Sequence, residues 1–275
     1  MTDNAAPAVY SLQSDLALAR QLADMADAIS MDRFRANDLL VSMKPDMTHV
    51  TDADKAVEAA IRGALHDSRS DDSVLGEEAG EEAGSDGSHR QWIIDPIDGT
   101  ANYVRGVPVW ASLISLAIDG EPVVGVVSAP ALGKRWWGAK GLGAFVDEQL
   151  SSTPMSSERR IHVSQIADLA DASMSSSGLT RWEQAGKLEE YLGLARRVWR
   201  TRDYGDMWPY MMVAEGLVEI AGEYDLKPWD MAALIPIVEE AGGRFSSATG
   251  EPGPWNGSAV ATNGLLHETV LDAIR

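Results

Sequence analysis

The chain has 275 residues, 45% of them hydrophobic, no cysteine and a formal charge of -19, enough apolar content for one large domain or two lobes sharing an interface. The absence of cysteine excludes disulfides, thiolate metal sites and a cysteine nucleophile, and the charge argues against a nucleic-acid backbone or an anionic membrane as partner. A small anion stays admissible where bound cations reverse the potential of clustered carboxylates. Met1 to Tyr10 carries no basic segment followed by an apolar run, and nothing downstream approaches the ~20 apolar residues of a membrane span. A cytoplasmic protein is expected.

Leu12, Leu16, Ala19, Ala23, Ala26 and Ile29 recur at helical spacing, which predicts an amphipathic helix over 11–35. A second is predicted over 52–66, with Val57, Ala60, Ile61, Ala64 and Leu65 on its apolar side, after a break at Lys44-Pro45-Asp46. Residues 67–90 are acidic and glycine-rich, with Glu77-Glu78-Ala79-Gly80 repeated at once as Glu81-Glu82-Ala83-Gly84, and read as a mobile loop. From Trp92 to Val146 the pattern turns to strands at 92–94, 109–118, 122–128, 134–139 and 144–146, whose spacing favours antiparallel neighbours. The serine- and charge-rich stretch 147–160 reads as a boundary between a lobe at 1–150 and another at 151–275. Beyond it, helices near 184–198, 206–215, 229–241 and 264–274 alternate with strands near 172, 200, 218, 244 and 259, an α/β pattern.

The chemistry concentrates in Trp92-Ile93-Ile94-Asp95-Pro96-Ile97-Asp98-Gly99-Thr100. A buried strand over 92–94 is followed by Pro96, which biases Asp95 away from helical geometry and predicts a tight turn out of the sheet. Asp95 and Asp98 can then converge on a hard cation, while Gly99 tolerates close approach of a ligand and Thr100 either offers a hydroxyl or caps a helix whose amides attract phosphate. The alternative is a turn in which both aspartates only bond nearby backbone. Thr51 and Asp54 have capping-box spacing at the start of the second predicted helix. Asp230 sits at the start of a pattern that runs to Gly242-Gly243, where an aspartate commonly caps.

Together, Glu77 after Gly76, the Asp-Pro-Ile-Asp-Gly-Thr string at 95–100, and Trp229-Asp230 followed by Glu240-Ala241-Gly242-Gly243 resemble the inositol monophosphatase family of magnesium-dependent phosphomonoesterases. The likeness runs from about residue 12 to 270. It implies a mixed α+β and α/β fold, a two-lobed layered αβαβα sandwich. The first lobe would hold the antiparallel sheet and most metal ligands, and the second would complete the metal and substrate site. By the same match, Glu77, Asp95, Asp98, Asp230 and the Ile97 carbonyl are metal ligands, and Asp54 stands near an optional third ion. An all-oxygen set suits magnesium, two or three per site, with manganese able to substitute, rather than zinc. Gly99 and Thr100 would bind the phosphate of a small ester, and Glu77 and Thr100 would take the proton of an activated water that attacks directly. A homodimer is also implied. Haloacid dehalogenase chemistry needs aspartates two apart, and Pro96 occupies that position.

A narrower likeness, to the histidinol-phosphatase branch of the family, is carried by residues 102–110, by Ala129-Pro130-Ala131-Leu132 ahead of Arg135-Trp136-Trp137, and by Arg202-Asp203-Tyr204-Gly205-Asp206. It implies Arg202, Asp206 and Glu223 as substrate-binding residues in histidine biosynthesis. Asp206 stands where inositol-directed members commonly carry a small uncharged residue, and an added carboxylate suits the ammonium of L-histidinol phosphate. Alternatively, Asp206 caps a helix beginning at Met207. Two other functions stay open: a phosphatase for inositol 1-phosphate or another sugar phosphate, and a catalytically silent metal-dependent binding or scaffold protein.

Overall fold

The computed structural model describes residues 10–45, 47–85, 88–148 and 158–275. The reading of residues 1–9, Asp46 within the predicted break, 86–87 within the expected loop, and 149–157 within the expected boundary all lie outside them. Ser11 caps α1 (Leu12–Arg33), accepting from the Ser14 amide, and Ala19, Leu22, Ala23 and Ala26 form its buried stripe. At the predicted break the chain instead makes a hairpin, β1 (Val41–Met43) and β2 (His49–Thr51), closed by a hydrogen bond from the Lys44 amide to the Thr48 carbonyl at 2.8 Å. Helix α2 (Asp52–Ser68) follows directly.

The expected loop over 67–90 contains two short strands, β3 (Ser73–Gly76) and β4 (Gly80–Glu82), paired antiparallel. The acidic residues mislead because β4 is the outermost strand of its sheet, where charged side chains meet solvent and discourage further pairing. Then come β5 (Arg90–Asp98), a short α3 (Thr100–Val104), β6 (Ala111–Ile118), β7 (Glu121–Ala129), β8 (Lys134–Ala139), β9 (Gly143–Glu148) and β10 (Arg159–Arg160). They form an eight-stranded sheet in the order β10-β9-β8-β7-β6-β5-β3-β4, antiparallel except for the parallel pair β3 and β5.

The second half runs β11 (Ser173–Ser175), α4 (Leu179–Gln184), α5 (Leu188–Ala195), β12 (Arg200–Thr201), α6 (Trp208–Ala214), β13 (Ile220–Tyr224), α7 (Pro228–Met231), α8 (Leu234–Glu240), β14 (Arg244–Ser246), β15 (Ser258–Thr262) and α9 (His267–Ile274). Its sheet has the order β12-β11-β13-β15-β14. The predicted helix over 184–198 is shortened to α5, because Gly186, at φ 71°, separates it from α4, which ends at Gln184. The predicted helix over 229–241 is split in two. Pro236 cannot donate to the Ala232 carbonyl one turn back, and that oxygen accepts the Ser115 hydroxyl at 3.1 Å instead, between α7 and α8.

Strand alternation stacks these pieces into five layers. Ile114, Val126 and Trp137 face α1 and α2, while their neighbours Leu113, Val127 and Trp136 face α6 and α8. On the far side of those two helices lie Ala221, Ala259 and Ala261 of the second sheet, whose other face, through Met174, Ile220 and Val260, packs on α4, α5 and α9. The result is the expected αβαβα sandwich. Gly125 on β7 lets α8 sit this close, since a Cβ there would lie 2.1 Å from the Ala233 carbonyl oxygen. Among the described residues no helix is long and apolar enough to cross a membrane.

Candidate metal centre and substrate cleft

In a regular strand Asp95 and Asp98, three residues apart, would point to opposite faces. They do not, because β5 carries a bulge. Asp95 opposes Leu113 and Asp98 opposes Ala111, so three steps on β5 match two on β6. The extra residue restores the phase and turns both carboxylates to one side. Pro96 therefore sits in a bulged strand rather than in the predicted turn out of the sheet, and its carbonyl accepts the Ser112 hydroxyl at 2.7 Å. The chain turns only at Gly99, whose φ of 83° puts it at the cap position of α3. Thr100 does not cap that helix; its hydroxyl lies 3.0 Å from the Ile97 carbonyl and 3.2 Å from Asp54 Oδ1.

The parallel register pairs Gly76 with Ile94, so the next residue on each strand, Glu77 and Asp95, emerge side by side. Glu58 of α2, almost wholly buried, fixes the turn that carries Glu77 by accepting the Glu78 and Ala79 amides at 2.8 and 3.0 Å. Arg62, one turn along α2, donates to Glu58 at 2.8 Å. From the β1–β2 hairpin the Lys44 ammonium reaches both Glu77 and Glu78 at 2.7 Å. Burial alone would lower the Lys44 pKa, but these two glutamates outweigh it and hold it above the usual lysine range.

The second half of the chain closes the cluster. Asp230, in the first turn of α7, accepts the Lys227 amide at 2.7 Å and brings a ligand oxygen within 4.8 Å of oxygens from Asp95 and Asp98. Asp98 Oδ2 accepts the Met207 amide at 2.7 Å, tying β5 to the start of α6. Gly205 and Asp206, at φ 85° and 50°, make the turn that presents this amide. The Asp206 carboxylate is not the cap of α6; it accepts from the Asn102 side-chain amide at 2.7 Å. Glu223 on β13 accepts the Ser177 hydroxyl at 2.7 Å. Glu77, Asp95, Asp98, Asp206, Glu223 and Asp230 line one cavity of about 780 Å³, whereas Asp54, Glu58 and Glu78 lie outside its lining.

So much unneutralised negative charge is costly. Burial first, then the charges of Glu77, Asp98 and Asp230, hold the Asp95 carboxyl well above its usual range; Asp98 is raised in the same way, by burial and then by Asp206 and Asp230. Burial pushes Asp230 up to about 7 against the Lys227 hydrogen bond, and Glu223 up to about 7 against that of Ser177. Asp206 is pushed up to about 6. Asp95 Oδ1 is buried without a hydrogen-bond partner among the described residues. A divalent cation answers the costs at Asp95, Asp98 and Asp230, and the all-oxygen donor set fits magnesium chemistry.

The structure thus gathers Glu77, Asp95, Ile97, Asp98, Gly99, Thr100, Asp206, Glu223 and Asp230 around one cavity. Asp54 forms the capping box with Thr51, accepting its amide at 2.8 Å and its hydroxyl at 2.5 Å, and touches the cavity only through Thr100. Arg202 is not brought in: it is exposed, donates to the Thr201 carbonyl at 2.7 Å, and lies outside the cavity lining. Sequence reasoning misses Lys44, Glu58, Asn102 as the holder of Asp206, and Tyr210. Glu58 and Arg62 carry only the signal of an ordinary i,i+4 surface pair.

A family model described as the inositol monophosphatase family matches residues 11–275. A histidinol-phosphatase from Streptomyces coelicolor is 57% identical over 94% of this chain and 95% of its own length. One from Mycobacterium tuberculosis is 54% identical, with 94% and 96% covered. Among solved structures, the inositol monophosphatase of Anabaena superposes with a TM-score of 0.79 at 30% identity, covering 95% of each chain.

Proposed function

Because the chain belongs to the inositol monophosphatase family, we propose that this phosphoric monoester hydrolase converts L-histidinol phosphate to L-histidinol and phosphate with magnesium. The observation that carries this reading is the convergence of Asp95, Asp98 and Asp230 from both halves of the chain, beside two further carboxylates, Asp206 and Glu223, in the same cavity. The first three suit a metal and a phosphate; the other two suit a cation on the rest of the substrate. The identity to two histidinol-phosphatases over most of the chain supports the same substrate.

Glu77, Asp95, the Ile97 carbonyl, Asp98 and Asp230 would hold the metal, which when bound supplies charge neutralisation of the phosphoryl group and a more acidic water. Gly99 allows the phosphate close to the backbone; a Cβ there would meet the Val109 carbonyl oxygen at 3.0 Å and the Asp206 carboxylate at 3.2 Å. Glu77 would accept the proton of the attacking water, and the Thr100 hydroxyl would accept a hydrogen bond from that water while directing its own proton to Asp54 or the Ile97 carbonyl. Thr100 is oriented by its contacts to the Ile97 carbonyl and Asp54, and Asp54 in turn is fixed by Thr51. Asp206 and Glu223 attract the substrate ammonium; at 4 Å and an effective dielectric of 20, one such pair is worth about 4 kcal/mol before desolvation.

Turnover of L-histidinol phosphate and of inositol 1-phosphate, each with magnesium and with chelator, tests this reading. It predicts preference for histidinol phosphate and no activity after chelation. Preference for inositol 1-phosphate would replace the substrate, and activity in neither case would favour a silent binding protein.

A further inference from the structure

Tyr210 lies on α6, one turn beyond the Met207 amide that Asp98 holds. Its ring is 2% exposed and packs against Phe245 at 5.8 Å between centroids. Its hydroxyl is buried without a partner in hydrogen-bonding geometry among the described residues, yet the residue lines the same cavity as Asp98, Asp206, Glu223 and Asp230. An unsatisfied buried hydroxyl costs about 1–3 kcal/mol, and a phenylalanine would fill the place without that cost. When ionised, the surrounding carboxylates are all acceptors. A phenol among them can donate to one and still offer its oxygen lone pairs to something that donates. Burial, then Glu223, Asp98 and Asp230, keep it protonated.

We propose that the Tyr210 hydroxyl is a specificity-determining contact, accepting a hydrogen bond from the cationic nitrogen of a phosphate ester while donating to Glu223. It rests on the reading of the substrate as an ammonium-bearing ester. Asp206 and Glu223 supply charge to that nitrogen from two elements, and Tyr210 supplies a neutral acceptor from a third. A carboxylate pair alone attracts any cation. The fixed phenol adds direction, because its ring is packed against Phe245 and its buried hydroxyl belongs to a residue that lines the cavity.

Tyr210→Phe tests the contact. Its kcat/KM for L-histidinol phosphate should fall about ten- to hundredfold, that for p-nitrophenyl phosphate should stay within about twofold, and its melting temperature should not fall. Inhibition by L-histidinol should weaken in parallel while inhibition by inorganic phosphate stays unchanged. Equal losses for both esters, or no loss for histidinol phosphate, would overturn the proposal. Tyr210→Met removes the same hydroxyl and carries the test if the phenylalanine variant does not fold. The wild-type enzyme separates the two readings: if it does not prefer histidinol phosphate, the proposed substrate fails together with this contact; if it does and the variants match it, only the role of Tyr210 fails.

Discussion

The Asn102 side-chain amide donates to the Asp206 carboxylate at 2.7 Å, joining α3 of the first half of the chain to the turn before α6. Asn102 also donates to the Val109 carbonyl at 3.0 Å, so both amide hydrogens are used and its orientation is set. The hydrogen bond aims a carboxylate into the cleft that would otherwise be free to cap α6.

Asp206→Ala should therefore reduce kcat/KM for L-histidinol phosphate by about tenfold or more, the worth of a charged hydrogen bond. It should have a much smaller effect on p-nitrophenyl phosphate, which has no ammonium. Asn102→Ala should act in the same direction. Parallel kinetics on the two esters check this, and equal losses would assign Asp206 to holding the turn.

Glu58 sits beneath the turn that bears Glu77. Its replacement by alanine leaves the Glu78 and Ala79 amides and Arg62 without their partner. Breaking such a buried pair costs about 3 kcal/mol or more. Urea unfolding of Glu58→Ala should show that loss, accompanied by a higher magnesium requirement because Glu77 is no longer positioned. A destabilised variant with an unchanged magnesium dependence would make Glu58 purely structural.

The pH dependence of stability follows from the raised carboxyls. Glu223 at about 7 and Asp206 at about 6 in the folded chain compare with about 4.3 and 3.9 when unfolded. Between those values the folded state holds protons that the unfolded state has released. Stability of the metal-free protein must then fall as pH rises through this window. Glu223→Gln should flatten the fall. Melting curves in chelator between pH 5 and 8 measure it, and an identical slope in the variant would remove Glu223 from the account.

Much of the site is legible in the chain because its ligands are clustered in short strings. Asp95 and Asp98 share one motif, and Glu77 and Asp230 follow distinctive neighbours. What makes them converge is less legible. The bulge at Pro96 depends on pairing with β6, and the meeting of Glu77 with Asp95 depends on the parallel register of β3 and β5. The β1–β2 hairpin escapes notice because Val41, Ser42 and Met43 are all exposed and give no alternation. Tyr210 reads as one more core aromatic until its residue is found to line the cavity with its hydroxyl buried and unpaired among the described residues. Arg202 is the converse case: close in sequence to Asp206, it donates to the Thr201 carbonyl and lies outside the cavity lining.

The central claim, that carboxylates from both halves of the chain form a metal site for ester hydrolysis, is tested most directly by magnesium-dependent turnover of L-histidinol phosphate in Asp98→Asn and Asp230→Asn. Asparagine keeps an oxygen able to accept the Met207 or Lys227 amide but removes the ligand charge. The account predicts a loss of about a hundredfold or more in each variant, with a metal-free melting temperature no lower than wild type because repulsion in the cleft is relieved. A near-normal rate in either variant at ordinary magnesium would contradict it.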